Sequence, residues 1–134
     1  MKVLKVEPKK YPEVVEIDSA LESLQKEVGG PIQAVYPWDD EVALICNEEG
    51  KLVDEASMNY NRVLATEIGV PYDVVVGPFL IVGLTEDDFG DLPQEFIDKY
   101  EKMFHDPEEF SFWTDAHGKT HLDVRPYVPE DNAK

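Results

Sequence analysis

The run Val74–Leu84 (VVVGPFLIVGL) sets the tightest limit on the fold. β-Branched and aromatic side chains favour extended backbone, and proline cannot donate to a sheet ladder. Tyr72–Val76 and Phe79–Val82 therefore read as two buried strands, or as one strand bent at Gly77-Pro78. The run is too short and too broken to cross a bilayer as a helix.

The flanking elements follow from alternation and punctuation. Lys2–Glu7 alternates apolar and charged residues, Pro8-Lys9-Lys10 marks a turn, and Tyr11–Ile17 carries Val15 and Ile17 on one face, which together predict a hairpin. Ser19 and Glu22 have capping-box spacing. Leu21, Leu24 and Val28 form an apolar stripe, and Gly29 suits a left-handed C-cap, so a helix follows. Ile32–Tyr36 and Val42–Cys46 are further strand candidates, with Pro37-Trp38-Asp39-Asp40 as the loop between them. Asn47–Gly50 is a tight turn leading to a short continuation at Lys51–Val53. Asn59, Asn61 and Gly69 favour loop across Asp54–Gly69, with a helical turn open at Val63, Leu64 and Ile68.

After an acidic loop at Glu86–Gly90, a second helix is expected from near Asp91. Asp91 and Gln94 have capping-box spacing, and Pro93 falls in the first turn. Its apolar face is Phe96, Ile97, Tyr100, Met103 and Phe104, and Pro107 ends it. Phe110–Asp115 and Thr120–Arg125 make a last hairpin around His117-Gly118, and the polar end Pro126–Lys134 is expected to fray. The sum is an α+β domain: a small mixed or antiparallel sheet, two main helices and a C-terminal hairpin. Residues 1–104 form the body, and residues 105–134 are an extension packed on the same domain.

A chain of 134 residues buries enough surface to fold without a metal or disulfide, and its single cysteine, Cys46, cannot form an intrachain disulfide. With no signal peptide or lipidation motif in view, a cytoplasmic location is expected. The formal charge of −17 is the strongest compositional signal. It disfavours direct contact with nucleic acid phosphates and with anionic membranes, and it permits a basic partner. It also serves solubility alone.

No catalytic set stands out. There is no nucleophile elbow, glycine-rich phosphate loop or dinucleotide fingerprint, so no catalytic residue and no cofactor are expected. His117 and His121, flanked by Asp115 and Asp123, carry metal-binding chemistry, but Gly118 in a hairpin gives the wrong backbone, and no metal site is expected. Asp87, Asp88 and Asp91 lack EF-hand spacing. Cys46 reads as an inert thiol at a strand end. Asn59, Asn61 and Arg62 form a polar cluster with two readings: a pocket rim for a polar ligand, or side chains that tie a long loop to backbone carbonyls. Acid is concentrated at Glu86, Asp87, Asp88, Asp91, Glu95, Asp98 and Glu101, opposed locally by Lys99 and Lys102. These seven residues are the candidate partner-binding face, able to imitate a phosphate backbone. The alternative is an ordinary solvated face.

The stretches Ile45–Leu52, Asn61–Leu64 and Tyr72–Gly83 resemble the bacterial and phage family called domain of unknown function 3846. The N-terminal hairpin, the helix ending in Gly29-Gly30, and Asp88-Phe89-Gly90 resemble it too, so the likeness runs from Met1 to about Phe104. The resemblance implies a gene of phages, plasmids or conjugative elements, among companions of antirestriction proteins. It implies no reaction and no catalytic residue. The first functional expectation is a non-enzymatic accessory protein that antagonises a host nucleic-acid-binding defence protein through the acidic face. The second is a binder of a small molecule or nucleotide signal at Asn59, Asn61 and Arg62, and an enzyme comes third. Exposed sheet edges permit a dimer without requiring one.

Overall fold

The computed structural model describes residues 1–54 and 57–129. β1 (Lys2–Val6) and β2 (Glu13–Glu16) pair antiparallel, with Val3 opposite Val15 and Lys5 opposite Glu13, the hairpin expected from the alternation. α1 (Leu21–Val28) then carries the chain across to the far edge of the sheet. There β3 (Ile32–Val35) and β4 (Val42–Asn47) form a second hairpin. β5 (Tyr60–Ala65) and β6 (Pro71–Val76) make a separate two-stranded ribbon. β7 (Phe79–Leu84) returns to the middle of the main sheet, between β1 and β4, and β8 (Phe89–Gly90) pairs with its end. α2 (Gln94–Met103) and a second ribbon, β9 (Glu108–Thr114) with β10 (Thr120–Pro126), complete the order. The main sheet runs β2-β1-β7-β4-β3 with β8 beside β7, and every pairing is antiparallel. The fold is α+β.

The run Tyr72–Val82 is two strands, because the turn at Gly77-Pro78 sends β6 and β7 into different sheets. β7 is buried along nearly its whole length, and its residues divide two cores. Phe79 and Ile81 face Leu4, Val6, Val42, Leu44, Ile97, Tyr100 and Phe104 on the α2 side, where Leu64 and Val75 of the ribbon also pack. Leu80 and Val82 face Val3, Leu24, Val28, Ala43 and Ile45 on the α1 side. Each Val, Leu, Ile or Phe among them contributes about 1.5–3 kcal/mol by leaving water. The layers are therefore α1, the sheet, and then α2 with β5–β6.

Neither helix forms its expected capping box. α1 starts one residue later than the Ser19–Glu22 spacing requires, its N-cap is Ala20, and Asp18 Oδ1 instead accepts from the Ala20 N–H at 2.9 Å. Its C-cap is Gly29 at φ 87°, as expected, while Leu21 lies outside the buried stripe of Leu24 and Val28. At α2 the N-cap is Pro93, and the Asp91 carboxylate is drawn away to accept from the Lys2 N–H at 2.7 Å. Ile97, Tyr100 and Phe104 are buried, whereas Met103 is exposed.

Two further expectations fail. Lys51–Val53 is a turn with exposed side chains, not a strand continuation. The stretch Tyr60–Ala65 is a strand, not a loop or helical turn, and the rest of the uncertain region includes residues 55–56, which lie outside the described residues. The terminal hairpin forms as expected. It leans on β5 through Tyr60 and Phe110, whose rings are 5.3 Å apart, and through Glu108 Oε1, which accepts from the Val63 N–H at 2.8 Å. The first part of the end expected to fray is held, since the Tyr127 N–H donates to Pro107 O at 2.8 Å, and residues 130–134 lie outside the described residues.

Candidate functional site

Asn61 and Arg62 are 0% and 1% exposed, and most of their donors end on main-chain carbonyls of the same chain. Asn61 Nδ2 donates to Val6 O and to Gly77 O, both at 2.9 Å. Arg62 Nε and Nη2 donate to Phe104 O at 3.1 and 3.0 Å, Nη2 also to Lys10 O at 2.8 Å, and Nη1 to Asn61 Oδ1 at 2.9 Å. Among the described residues no carboxylate lies within ion-pair distance of the guanidinium. Burial pulls its pKa down to about 10, against the opposing pull of Glu108 and Asp106. This geometry ties β5 to the end of β1, to the β6–β7 turn, to the β1–β2 turn and to the end of α2. Asn59 is exposed at the start of the ribbon, and its carbonyl accepts from the Gly77 N–H at 2.7 Å.

The acids take up different positions. Glu86, Asp87 and Asp88 are exposed in the turn between β7 and β8, where Thr85 and Asp88 exchange hydrogen bonds and Asp88 Oδ1 accepts from the Phe89 N–H. Asp91 follows beside the start of β1. Glu95 and Asp98 are exposed on α2, with Asp98 Oδ1 accepting from Gln94 Nε2 at 2.9 Å. Glu101 is half-exposed, with an oxygen 4.0 Å from His105 Nε2. Lys99 and Lys102 are exposed on the same helix, so α2 alone is a face of mixed charge.

Sequence reasoning missed three acids at this end of the sheet. Val42 pairs with Gly83, and the Leu84 N–H donates to Glu41 O at 3.2 Å, so the β3–β4 loop lies against the strand that leads into the Glu86–Asp88 turn. Asp39, Asp40 and Glu41 thereby join Glu86, Asp87, Asp88, Asp91 and the first turns of α2. The acidic triplet is visible in the sequence, but the long-range β4–β7 pairing that brings it here is not. Asp40 Oδ2 accepts from Lys99 Nζ at 2.5 Å and from the Tyr100 hydroxyl at 2.6 Å. Those two hydrogen bonds, with the lysine charge, hold its carboxyl below the usual range, and burial with the same hydrogen bond pushes the Tyr100 phenol up.

The histidines do not converge. His121 Nε2 lies 2.8 Å from Asp115 Oδ2 and its ring stacks on Trp113 at 4.4 Å, while the His117 N–H donates to Asp115 Oδ1. Among the described residues no group of three or more His, Cys, Asp or Glu side chains could hold a metal ion. Cys46 is half-buried in a cleft of about 230 Å³ that also holds the Lys51–Asp73 ion pair, 2.6 Å across. Burial pushes its thiol up and nearby Lys51 partly offsets this, which leaves a weak nucleophile. Among the described residues no helix is long and apolar enough to cross a membrane.

With this geometry in place, the sequence profile of a family described as a domain of unknown function, DUF3846, matches residues 1–105. The chain belongs to the DUF3846 family. No curated protein matches the chain, and neither does any solved structure. The DUF3846 match thus spans the main sheet, both helices and the β5–β6 ribbon, and stops ahead of the β9–β10 hairpin.

Proposed function

We propose that this DUF3846 protein is a non-enzymatic accessory protein of a mobile element, residing in the cytoplasm, that binds and antagonises a basic, nucleic-acid-binding protein of the host. One observation carries the reading: two loops distant in sequence, Asp39–Glu41 and Glu86–Asp88, meet at one end of the sheet beside Asp91 and the start of α2. Carboxylates gathered on neighbouring loops give a negative field that steers a cationic surface towards them, as a phosphate backbone does. The mixed charge of α2 narrows the interface to these loops, with Glu95 and Asp98 at its border and Glu101 beyond it.

The test is capture from a host lysate with the tagged protein, at low and at high salt, followed by mass spectrometry. A partner that holds at low salt and is released as salt rises is expected. Reversal of Glu86, Asp87 and Asp88 to Lys should weaken its binding at least about tenfold, since each close charge pair lost across an interface costs upwards of about 1.5 kcal/mol. A confirmed partner that binds the reversed variant as tightly as the parent would end this reading.

A further inference from the structure

We propose that the groove between the β3–β4 loop, the β5–β6 turn and the C-terminal half of α2 receives an arginine side chain of the partner. The inference rests on the reading that the chain takes a basic protein partner, and it assigns the point where that partner anchors. The groove has a volume of about 570 Å³, enough for a side chain with its flanking backbone.

Its walls are aromatic and apolar. Trp38 is fixed from behind, its ring 4.4 Å from Tyr100 and 6.0 Å from Phe104, and it lines the groove. Tyr72 and Met103, 55% and 48% exposed, flank it although both are large. Its charge is one-sided. Asp39, Asp40 and Glu67 line it against a single cation, Lys99, which is already held by Asp40 at 2.5 Å. Among the described residues, neither Asp39 nor Glu67 forms an ion pair.

An arginine matches this pairing of features. Its guanidinium is a flat cation that stacks on an aromatic face while its edge donates two parallel hydrogen bonds to a carboxylate. A lysine supplies the charge without the plane, and a purely apolar segment would leave Asp39 and Glu67 without a counter-charge. The groove also adjoins the acidic end through Asp39 and Asp40, so a basic surface steered there meets it directly.

The test uses capped tri-arginine and tri-lysine peptides as probes, titrated at low salt into the isotope-labelled full chain and followed by NMR. With tri-arginine, the Trp38 indole N–H and the amides of Asp39, Asp40, Glu67 and Tyr72 should shift together as one saturable site. The Trp113 indole, which stacks on His121 and does not line the groove, should stay in place as the internal control. Tri-lysine should bind at least about threefold more weakly. Tyr72→Ala with Glu67→Gln, both at exposed positions, should weaken tri-arginine at least about fivefold while the rest of the spectrum is preserved. Equal binding of the two peptides overturns the arginine assignment. Shifts gathered at Glu86–Asp91 instead, undiminished binding by the double variant, or no shift with either peptide overturns the groove. Each of those results leaves the lysate capture with the Glu86/Asp87/Asp88 variant free to succeed or fail separately.

Discussion

Arg62 is the largest fully buried side chain among the described residues, and it sits with Asn61 where four segments meet. A buried charge is tolerated only when its donors are satisfied, and here carbonyls do that work in place of a counter-ion. Such a network is costly to break. Arg62→Ala removes the donors, strands the carbonyls of Phe104 and Lys10, and opens a cavity between α2 and the β5–β6 ribbon. The expected loss is at least about 3 kcal/mol in urea unfolding. Arg62→Lys should recover little of it, because one ammonium cannot span acceptors that a planar fork reaches together. A loss under about 1 kcal/mol for the alanine variant would mean that the ribbon docks by apolar packing alone.

At the scale of elements, many local signals match the fold, although the strand signal at Lys51–Val53 gives a turn. β1, β2, the cap at Gly29, the apolar core of α2 and the final hairpin each carry their signal within a few residues of sequence. β5 could not be read that way. Asn61 and Arg62 look like loop residues until Val6, Gly77, Phe104 and Lys10 are known to be their acceptors, and those lie 16 to 55 residues away apart from the internal Arg62–Asn61 bond. The α2 capping box fails for a related reason: the side chain of Asp91 bonds to the start of β1 instead. The acidic site was half legible, because Glu86–Asp91 is a visible run whereas Asp39–Glu41 joins it only through β4–β7 pairing. That junction depends on Gly83, where an added Cβ would lie 2.1 Å from Asp91 O. Gly83→Ala must therefore push β8 and the entry to α2 off the sheet. It should cost about 1–3 kcal/mol, with amide exchange quickening first at Phe89–Leu92. Native protection there in the alanine variant would show that the backbone yields at no cost.

For the whole molecule, a net charge of −17 on 134 residues is a standing repulsion that the cores must outweigh. Its distribution decides how salt acts. If repulsion is concentrated where the β3–β4 and β7–β8 loops meet, many pairs there lie within a Debye length, roughly 20 Å near 0.02 M salt and under about 6 Å near 0.3 M. Raising salt over that range should lift Tm by about 3–6 °C, opposite in sign to a fold held by surface ion pairs. Charge reversal separates a concentrated patch from an even coat. Glu86, Asp87 and Asp88 changed to Lys should remove most of the salt dependence. Glu13, Glu48 and Glu49, exposed at the other end of the sheet, change net charge by the same amount and should remove much less. Equal effects from the two triple variants in calorimetry would mean that total charge alone matters. The acidic end would then be part of a uniform anionic surface, with no claim to steer a partner to one side of the molecule.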